Sequence, residues 1–140
     1  MINTQELRVG SYILVDNTIR KVCCIKNDAS ATQLSHIGFE TNHSCEYEAA
    51  SSERLTAVPI SNELLRALGF TFHDYHKTWQ HERPKKTFTI ELNTEYSAVD
   101  FSHRTLVKHI QYLHLLQNLF YSVQQQELTL NAIRDTVLTN

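Results

Sequence analysis

The stretch from residue 106 to residue 128 has the longest helical pattern of apolar residues in the chain. Residues in a helix advance by about 100° each, so apolar residues three or four apart share one arc. The arc here is wide, which indicates burial on more than one side. We therefore predict one long helix over about residues 103–126, capped by Ser102, that carries the core of the domain. Its apolar arc consists of Leu106, Ile110, Leu113, Leu116, Leu119, Phe120 and Val123.

A narrower polar strip runs along the same predicted helix. A buried amide without a hydrogen-bond partner costs roughly 1–3 kcal/mol, so such residues need partners. In one interpretation they bind the backbone of neighbouring strands and fix how the helix docks; in the other they form a ligand or partner surface. Gln117 falls inside the apolar arc and is predicted to be buried, whereas His114 and Asn118 lie nearer the polar side. The strip consists of Gln111, His114, Gln117, Asn118 and Tyr121.

Residues 1–58 are rich in strand signals. The pair Asp16-Asn17 has turn chemistry between two runs of β-branched residues, which predicts a β-hairpin. A second turn at Asn27-Asp28 precedes a further strand. Together these segments predict a small, strongly curved, barrel-like unit of four or five strands. The predicted strands are Ser11–Val15, Thr18–Ile25 and Ala31–Ile37, and residues 38–53 are predicted to form short strands or a loop.

Residues 59–140 combine a short helix with a second set of strands. Ser61 fits the N-cap and Gly69 the position after the C-cap, which predicts a helix over Asn62–Leu68. The following segments alternate apolar and polar residues, as strands of an antiparallel sheet do. They are Phe70–His76, Thr78–His81, Thr87–Leu92 and Tyr96–Phe101, with turns at His76-Lys77 and over residues 83–86, and Asn131–Leu138 is predicted to add a final helical turn.

A chain of 140 residues with 41% hydrophobic content is long enough for one domain with a modest core. We predict an α+β domain with an N-terminal barrel-like unit, a short linking helix, and a small antiparallel sheet packed on the long C-terminal helix. The net charge of −2 gives no overall attraction to nucleic acid or membrane. No apolar run approaches the ~18 residues of a membrane span, and the first residues lack a secretory pattern, so a cytoplasmic location is predicted.

The spacing of cysteine and histidine residues does not predict a metal site. Cys23, Cys24 and Cys45 lack a C-x-x-C spacing, and adjacent residues of a strand point to opposite faces. We therefore expect reduced thiols that do not share a ligand. Strand alternation likewise separates the histidines of the later hairpin, which we expect to be exposed: His73, His76 and His81, with Asp74 beside them.

Three blocks of the sequence resemble a family of small proteins found in Bacteroidota genomes and in their phages and prophages. The blocks are LRVGSYI near the start, SNELLRALGF in the middle and IQYLHLLQNLFYSVQQQEL near the end. The resemblance implies a phage or prophage origin and a shared architecture, and it carries no established activity. It spans most of the chain and is specific in the last block, at Tyr112, His114, Leu116, Gln117, Asn118, Leu119, Glu127 and Leu128.

The sequence departs from the family pattern in each of the three blocks. Ser11 stands where the family has Asn, and Leu64 or Leu65 where it has Trp. Gln125 replaces the Gly that would end the long helix. Because a glycine after the last turn is a common way to stop a helix, its replacement predicts that this helix continues toward Glu127.

No catalytic signature or phosphate-binding loop is present, which predicts a protein that is not an enzyme and needs no cofactor. We expect a small binding or adaptor protein in the cytoplasm of a bacterial host, whose partner is a host or phage protein; homo-oligomer formation stays open. One alternative is a sponge that sequesters a small nucleotide signal. The other is a nucleic-acid-binding module, in which an aromatic residue stacks on bases and cations contact phosphates. The simpler expectation is that Trp79 packs in the core. The residues of the module would be Trp79, Lys77, Arg83, Lys85 and Lys86.

Overall fold

The computed structural model describes residues 2, 4–27, 35–40, 44–49, 53–81, 90–100 and 102–130. Over these residues the chain forms two antiparallel β-sheets of five strands each, a 3₁₀ helix at Thr4–Glu6, a short α-helix and a C-terminal α-helix. The predicted α+β class is thereby confirmed. No helix among the described residues is both long and apolar enough to cross a membrane.

The first sheet has the strand order β4-β3-β2-β1-β5. The predicted hairpin is confirmed, because Asp16 and Asn17 adopt φ angles of 51° and 65°, as a two-residue type I′ turn requires. Asn and Asp tolerate this left-handed conformation better than most residues, so the turn sequence and the turn geometry agree. The strands are β1 Tyr12–Val15, β2 Thr18–Asn27, β3 Ser35–Glu40, β4 Cys45–Ala49 and β5 Leu55–Thr56.

The first sheet is open over the described residues. Strands β4 and β5 lie at its two edges and do not pair with each other there, so the predicted barrel-like closure is not confirmed. The strand predicted at Ala31–Ile37 lies instead at β3, and the turn predicted at Asn27-Asp28 extends into residues outside the described ones. Strand β4 forms where short strands or a loop are predicted, and pairs with β3 over five residues.

Strand β1 lies between two hydrophobic cores. Its side chains alternate, so Ile13 and Val15 belong to the core of the first sheet. Tyr12 and Leu14 pack instead against the core that is built around the second sheet. Because both faces of β1 are covered, all four of its residues are apolar or aromatic, and the strand joins the two sheets into one body.

The second sheet follows the short helix and has the order β10-β9-β8-β7-β6. Helix α1 begins as predicted, because Ser61 Oγ accepts a hydrogen bond of 3.1 Å from the Leu64 N–H. Gly69 follows the last turn with a φ of 95°, a conformation that glycine adopts without strain. The elements are α1 Asn62–Ala67, β6 Phe70–His73, β7 Thr78–His81, β8 Glu91–Leu92, β9 Ala98–Val99 and β10 Thr105–Val107.

Three predicted strands of this sheet are longer than the observed ones. The strand predicted to reach His76 ends at His73, because the chain turns through residues 74–77, with Lys77 at a φ of 56°. The predicted turn over residues 83–86 and the first half of the strand predicted to start at Thr87 lie outside the described residues, as does Asn131–Leu138. The strand predicted over Tyr96–Phe101 is reduced to β9.

The C-terminal helix, α2, spans Leu113–Gln124 and is much shorter at its start than predicted. The segment that precedes it pairs with β9 as strand β10, and His109 then turns the chain with a φ of 39°. The Ile110 N–H donates to the Tyr96 carbonyl at 2.8 Å, so Ile110 is buried by a loop contact and not by a helix. Ser102 does not cap α2, since its N–H donates to Asp100 Oδ1 in a separate turn.

Helix α2 also ends earlier than predicted. Gln125 adopts the left-handed conformation itself, with a φ of 56°, and its N–H donates to the Tyr121 carbonyl at 2.9 Å. The continuation toward Glu127 is therefore wrong: Gln125 ends the helix in the left-handed conformation that a glycine commonly adopts at this position.

The core residues that α2 supplies are those of the predicted arc that fall inside the observed helix. Leu113, Leu116 and Phe120 are buried against α1 and the second sheet, and Leu119 is partly buried there. Val123 lies at the edge of the arc and is 42% exposed. The prediction that this helix carries a core is confirmed for its central two turns.

We expect Leu116→Ala to lower the free energy of unfolding by about 2–5 kcal/mol, because the fully buried side chain would leave a cavity among α1, α2 and the second sheet. Urea unfolding followed by circular dichroism measures this change. Val123→Ala is the matched control on the same helix, and its effect should stay within about 0.5 kcal/mol. Equal effects for the two variants would show that α2 does not pack as described.

Gln125→Gly should raise the free energy of unfolding by about 0.5–1 kcal/mol, since a residue with a side chain is strained in the left-handed conformation and glycine is not. Gln126 does not have a positive φ, so Gln126→Gly should leave stability unchanged or lower it by up to about 1 kcal/mol. A lower melting temperature for Gln125→Gly than for Gln126→Gly would contradict the assigned end of α2.

Candidate functional site

Gln117 hydrogen-bonds three backbone groups with one side chain. Its Oε1 accepts from the Tyr12 N–H at 2.9 Å, and its Nε2 donates to the Gly10 carbonyl at 2.9 Å and to the Leu128 carbonyl at 3.3 Å. The side chain is 0% exposed, as predicted. It therefore fixes α2 against the start of β1 on one side and against the segment that follows the helix on the other.

Arg8 forms a second set of contacts next to Gln117. Its guanidinium donates two hydrogen bonds of 3.0 Å to the Glu127 carboxylate, one of 2.6 Å to Asn118 Oδ1 and one of 3.2 Å to the Gln117 carbonyl. The Asn118 side-chain amide donates in turn to the Glu6 carbonyl at 2.6 Å. Arg8 of the first sequence block thus contacts Asn118 and Glu127 of the last block directly.

His114 is buried, which corrects its predicted place near the polar side of the helix. Its Nε2 lies 3.1 Å from the Glu6 carboxylate, and its ring stacks on Tyr112 at 6.0 Å between centroids. Its Nδ1 has no hydrogen-bond partner among the described residues. The helical wheel fails here because the N-terminal segment covers a side of α2 that the wheel assigns to solvent.

The two remaining strip residues are more exposed. Gln111 lies before the helix begins, and its backbone carbonyl accepts from the Ile60 N–H at 3.1 Å. Tyr121 places its ring 4.8 Å from the Arg8 guanidinium carbon, in a cation–π contact. The side-chain contacts of His114, Gln117 and Asn118 are of the kind that the docking interpretation requires, whereas the Gln111 side chain is exposed. A ligand role for the strip stays a prediction.

Of the residues of the nucleic-acid alternative, the two that the structure describes, Lys77 and Trp79, do not form a surface on which a base could stack. Trp79 is 3% exposed, lies edge-on to Phe72 with 5.2 Å between ring centroids, and has the Arg66 guanidinium 5.5 Å from its ring. A buried indole cannot stack on a base without rearrangement of the second sheet. Lys77 is exposed in the turn before β7, and Arg83, Lys85 and Lys86 lie outside the described residues.

Histidines and acids of the β6–β7 hairpin do not converge. His73, Asp74 and His76 are exposed, and within the described part of the chain they form no group that could hold one metal ion. His81 packs its ring against Phe70 and Phe120, and its Nε2 lies 3.0 Å from the Leu68 carbonyl. His81 is therefore a packing residue.

The three cysteines of the chain lie together on the outer face of the first sheet. Cys23 and Cys45 form a disulfide, and Cys24 Sγ lies 3.7 Å from Cys45 Sγ. The Cys24 thiol also donates to the Tyr47 hydroxyl at 2.8 Å, and this hydrogen bond raises the pKa of Tyr47 above its usual value. The prediction of separate, reduced thiols is wrong.

A β-bulge explains why the two adjacent cysteines share a face. Val22 pairs with Phe39, but the next pair is Cys24 with Gly38, so β2 has one residue more than β3 at this point. Beyond the bulge Ile25 pairs with Ile37 and packs against the same core as Val22. The signal available in the sequence is the glycine, because a glycine inside a strand often marks a bulge or a close approach.

An open cleft of about 390 Å³ lies at the rim of the first sheet's core, where Val15 and Phe39 contribute apolar surface. Arg54 hydrogen-bonds Asp16 at 2.8 Å and also pairs with Glu48. The hydrogen bond from Arg54 lowers the pKa of Asp16 below its usual value. The cleft is lined by Val15, Asp16, Thr18, Arg20, Phe39, Glu46, Tyr47, Glu48 and Arg54.

Comparison with known proteins gives no assignment for these features. No family model matches the sequence, and no curated protein and no solved structure matches it either. The function must therefore be argued from the geometry alone.

Gln117→Ala should lower the melting temperature by several degrees, because it leaves the Tyr12 N–H and the Gly10 carbonyl buried without their partner, at roughly 1–3 kcal/mol. Gln111→Ala removes the same side chain from an exposed position and is the matched control, with a shift close to zero. Thermal unfolding by circular dichroism compares the two. Equal melting of Gln117→Ala and the wild type would show that the amide contacts do not hold the fold.

Proposed function

We propose that the chain is a small binding or adaptor protein without enzymatic activity, of phage or prophage origin, that acts in the cytoplasm of a bacterial host. Its partner is a host or phage protein, which it holds at the cleft of the first sheet. The cleft is the observation that carries this proposal, since it is open to solvent and brings five charged side chains together beside Val15 and Phe39.

The contacts that the polar strip on α2 already makes favour the cleft over the strip as the binding surface. Gln117, Asn118 and His114 are engaged with the backbone and side chains of the N-terminal segment, so a ligand would have to displace these contacts to reach them. The cleft needs no such displacement. A binding surface that is already open costs less to occupy than one that must first be released from the fold.

The charges at the cleft favour a protein partner with a basic side chain. Its lining has the carboxylates of Asp16, Glu46 and Glu48 against the guanidiniums of Arg20 and Arg54, an excess of one negative charge. Both Asp16 and Glu48 are paired with Arg54. A polyphosphate would meet a lining of net negative charge here, so a nucleotide sponge that uses this cleft is less well supported. The nucleic-acid module would use Trp79 instead, and that indole is buried.

The test begins with affinity capture of the tagged chain from host lysate, followed by titration of the purified partner. Glu46→Lys reverses an exposed charge in the cleft and should weaken binding about tenfold or more, because like charges would then face each other. Glu95→Lys makes the same change at an exposed position in the turn between β8 and β9 and should alter the affinity less than twofold. Melting curves of both variants should match the wild type, which separates loss of binding from loss of fold.

Three outcomes would contradict the proposal. A partner that binds Glu46→Lys and the wild type equally well uses another surface. Polynucleotide binding with a steep salt dependence would favour the nucleic-acid module. A nucleotide that co-purifies with the chain, detected by its ultraviolet absorption and by native mass spectrometry, would favour the sponge.

A further inference from the structure

All three cysteine sulfurs of the chain converge at one place, although 21 residues separate Cys24 from Cys45. The Sγ atoms of Cys23, Cys24 and Cys45 lie within 4.8 Å of one another. Each of these residues is partly exposed, so the group is open to solvent on the outer face of the first sheet. The Cys23–Cys45 disulfide uses two of them, and Cys24 lies beside it as a thiol.

The backbone beneath the sulfurs is shaped to admit them. A Cβ atom at residue 38 would lie 2.5 Å from Cys45 Sγ and 2.7 Å from Cys24 Sγ, distances that are too short for any real contact. Gly38 therefore provides the space that two of the sulfurs occupy. The bulge at Cys23 and Cys24 brings the third sulfur to the same face.

We propose that these three sulfurs, once the disulfide is reduced, form a binding site for a thiophilic metal ion of the Zn²⁺ class. Zinc bonds to cysteine sulfur at about 2.3 Å, so two sulfurs in a tetrahedral site lie about 3.8 Å apart. The distance between Cys24 Sγ and Cys45 Sγ, 3.7 Å, is of this size. Three sulfur ligands leave the fourth position of the tetrahedron to a solvent molecule, which the partial exposure of the group allows.

Formation of the site takes two balanced steps. A dithiol reduces the Cys23–Cys45 disulfide, supplying two electrons and two protons, and is itself oxidised to its cyclic disulfide. The metal ion then binds the three sulfurs as thiolates and displaces three thiol protons to solvent. Metal binding and disulfide formation are therefore alternatives at the same sulfurs, and the oxidised protein is the form that cannot hold the ion.

The experiment titrates the full chain with Zn²⁺ in its two redox forms. Protein reduced by a dithiol under anaerobic conditions is freed of excess dithiol by gel filtration, because the reagent itself binds zinc. It is then titrated in competition with a chromophoric chelator and weighed by native mass spectrometry. We expect one Zn²⁺ per reduced chain and none per oxidised chain, a comparison that needs no substitution. Cobalt in place of zinc should give sulfur-to-metal charge-transfer absorption.

Two variants locate the ion. Cys24→Ser keeps the other two cysteines and should weaken Zn²⁺ binding by more than about 100-fold, since even outer-shell substitutions at metal sites cost 10–100-fold. Gly38→Ala keeps all three thiols but places a methyl group among them, and should also weaken binding. Absence of stoichiometric zinc in the reduced wild type would overturn the proposal. Wild-type affinity in folded Cys24→Ser or Gly38→Ala would overturn it as well.

Discussion

The side-chain amide of Gln117 is the contact on which the rest of the structure depends. It bonds the backbone at Gly10, Tyr12 and Leu128, so three segments far apart in sequence meet at one buried group. Such a group must be fully satisfied, because an unpaired buried amide costs about as much as several apolar contacts supply. The amide thereby sets the position of β1, and β1 in turn supplies side chains to both cores.

The neighbouring Arg8 makes the same junction specific through charge and geometry. Its planar guanidinium meets the Glu127 carboxylate with two parallel hydrogen bonds and still reaches Asn118. A lysine could not make this set of contacts. Arg8 near the start of the chain and Asn118 and Glu127 near its end are therefore neighbours in space, and their contacts dock the N-terminal segment on α2.

Local chemistry made some elements predictable from the sequence. Asp16-Asn17 specifies its turn, and Ser61 with Gly69 specifies α1, because in each case the deciding residues lie in the element or directly beside its ends. The start of α2 was not predictable in this way. Leu106 fits a helical arc by spacing, yet its segment is held as β10 by pairing with β9, a contact made across the fold that the period of the segment cannot reveal.

The candidate sites likewise divide into features that a local sequence pattern predicts and features that depend on contacts across the fold. Burial of Gln117 followed from the helical wheel, whereas burial of His114 depends on an N-terminal segment that the wheel does not contain. The cysteine group was hidden for a related reason: alternation sends adjacent side chains to opposite faces only while the strand is regular. One extra residue in β2 suspends that rule at Cys23 and Cys24 and restores it at Ile25. The bulge thus keeps the core of the first sheet intact and, at the same point, delivers a second sulfur to the outer face opposite Cys45.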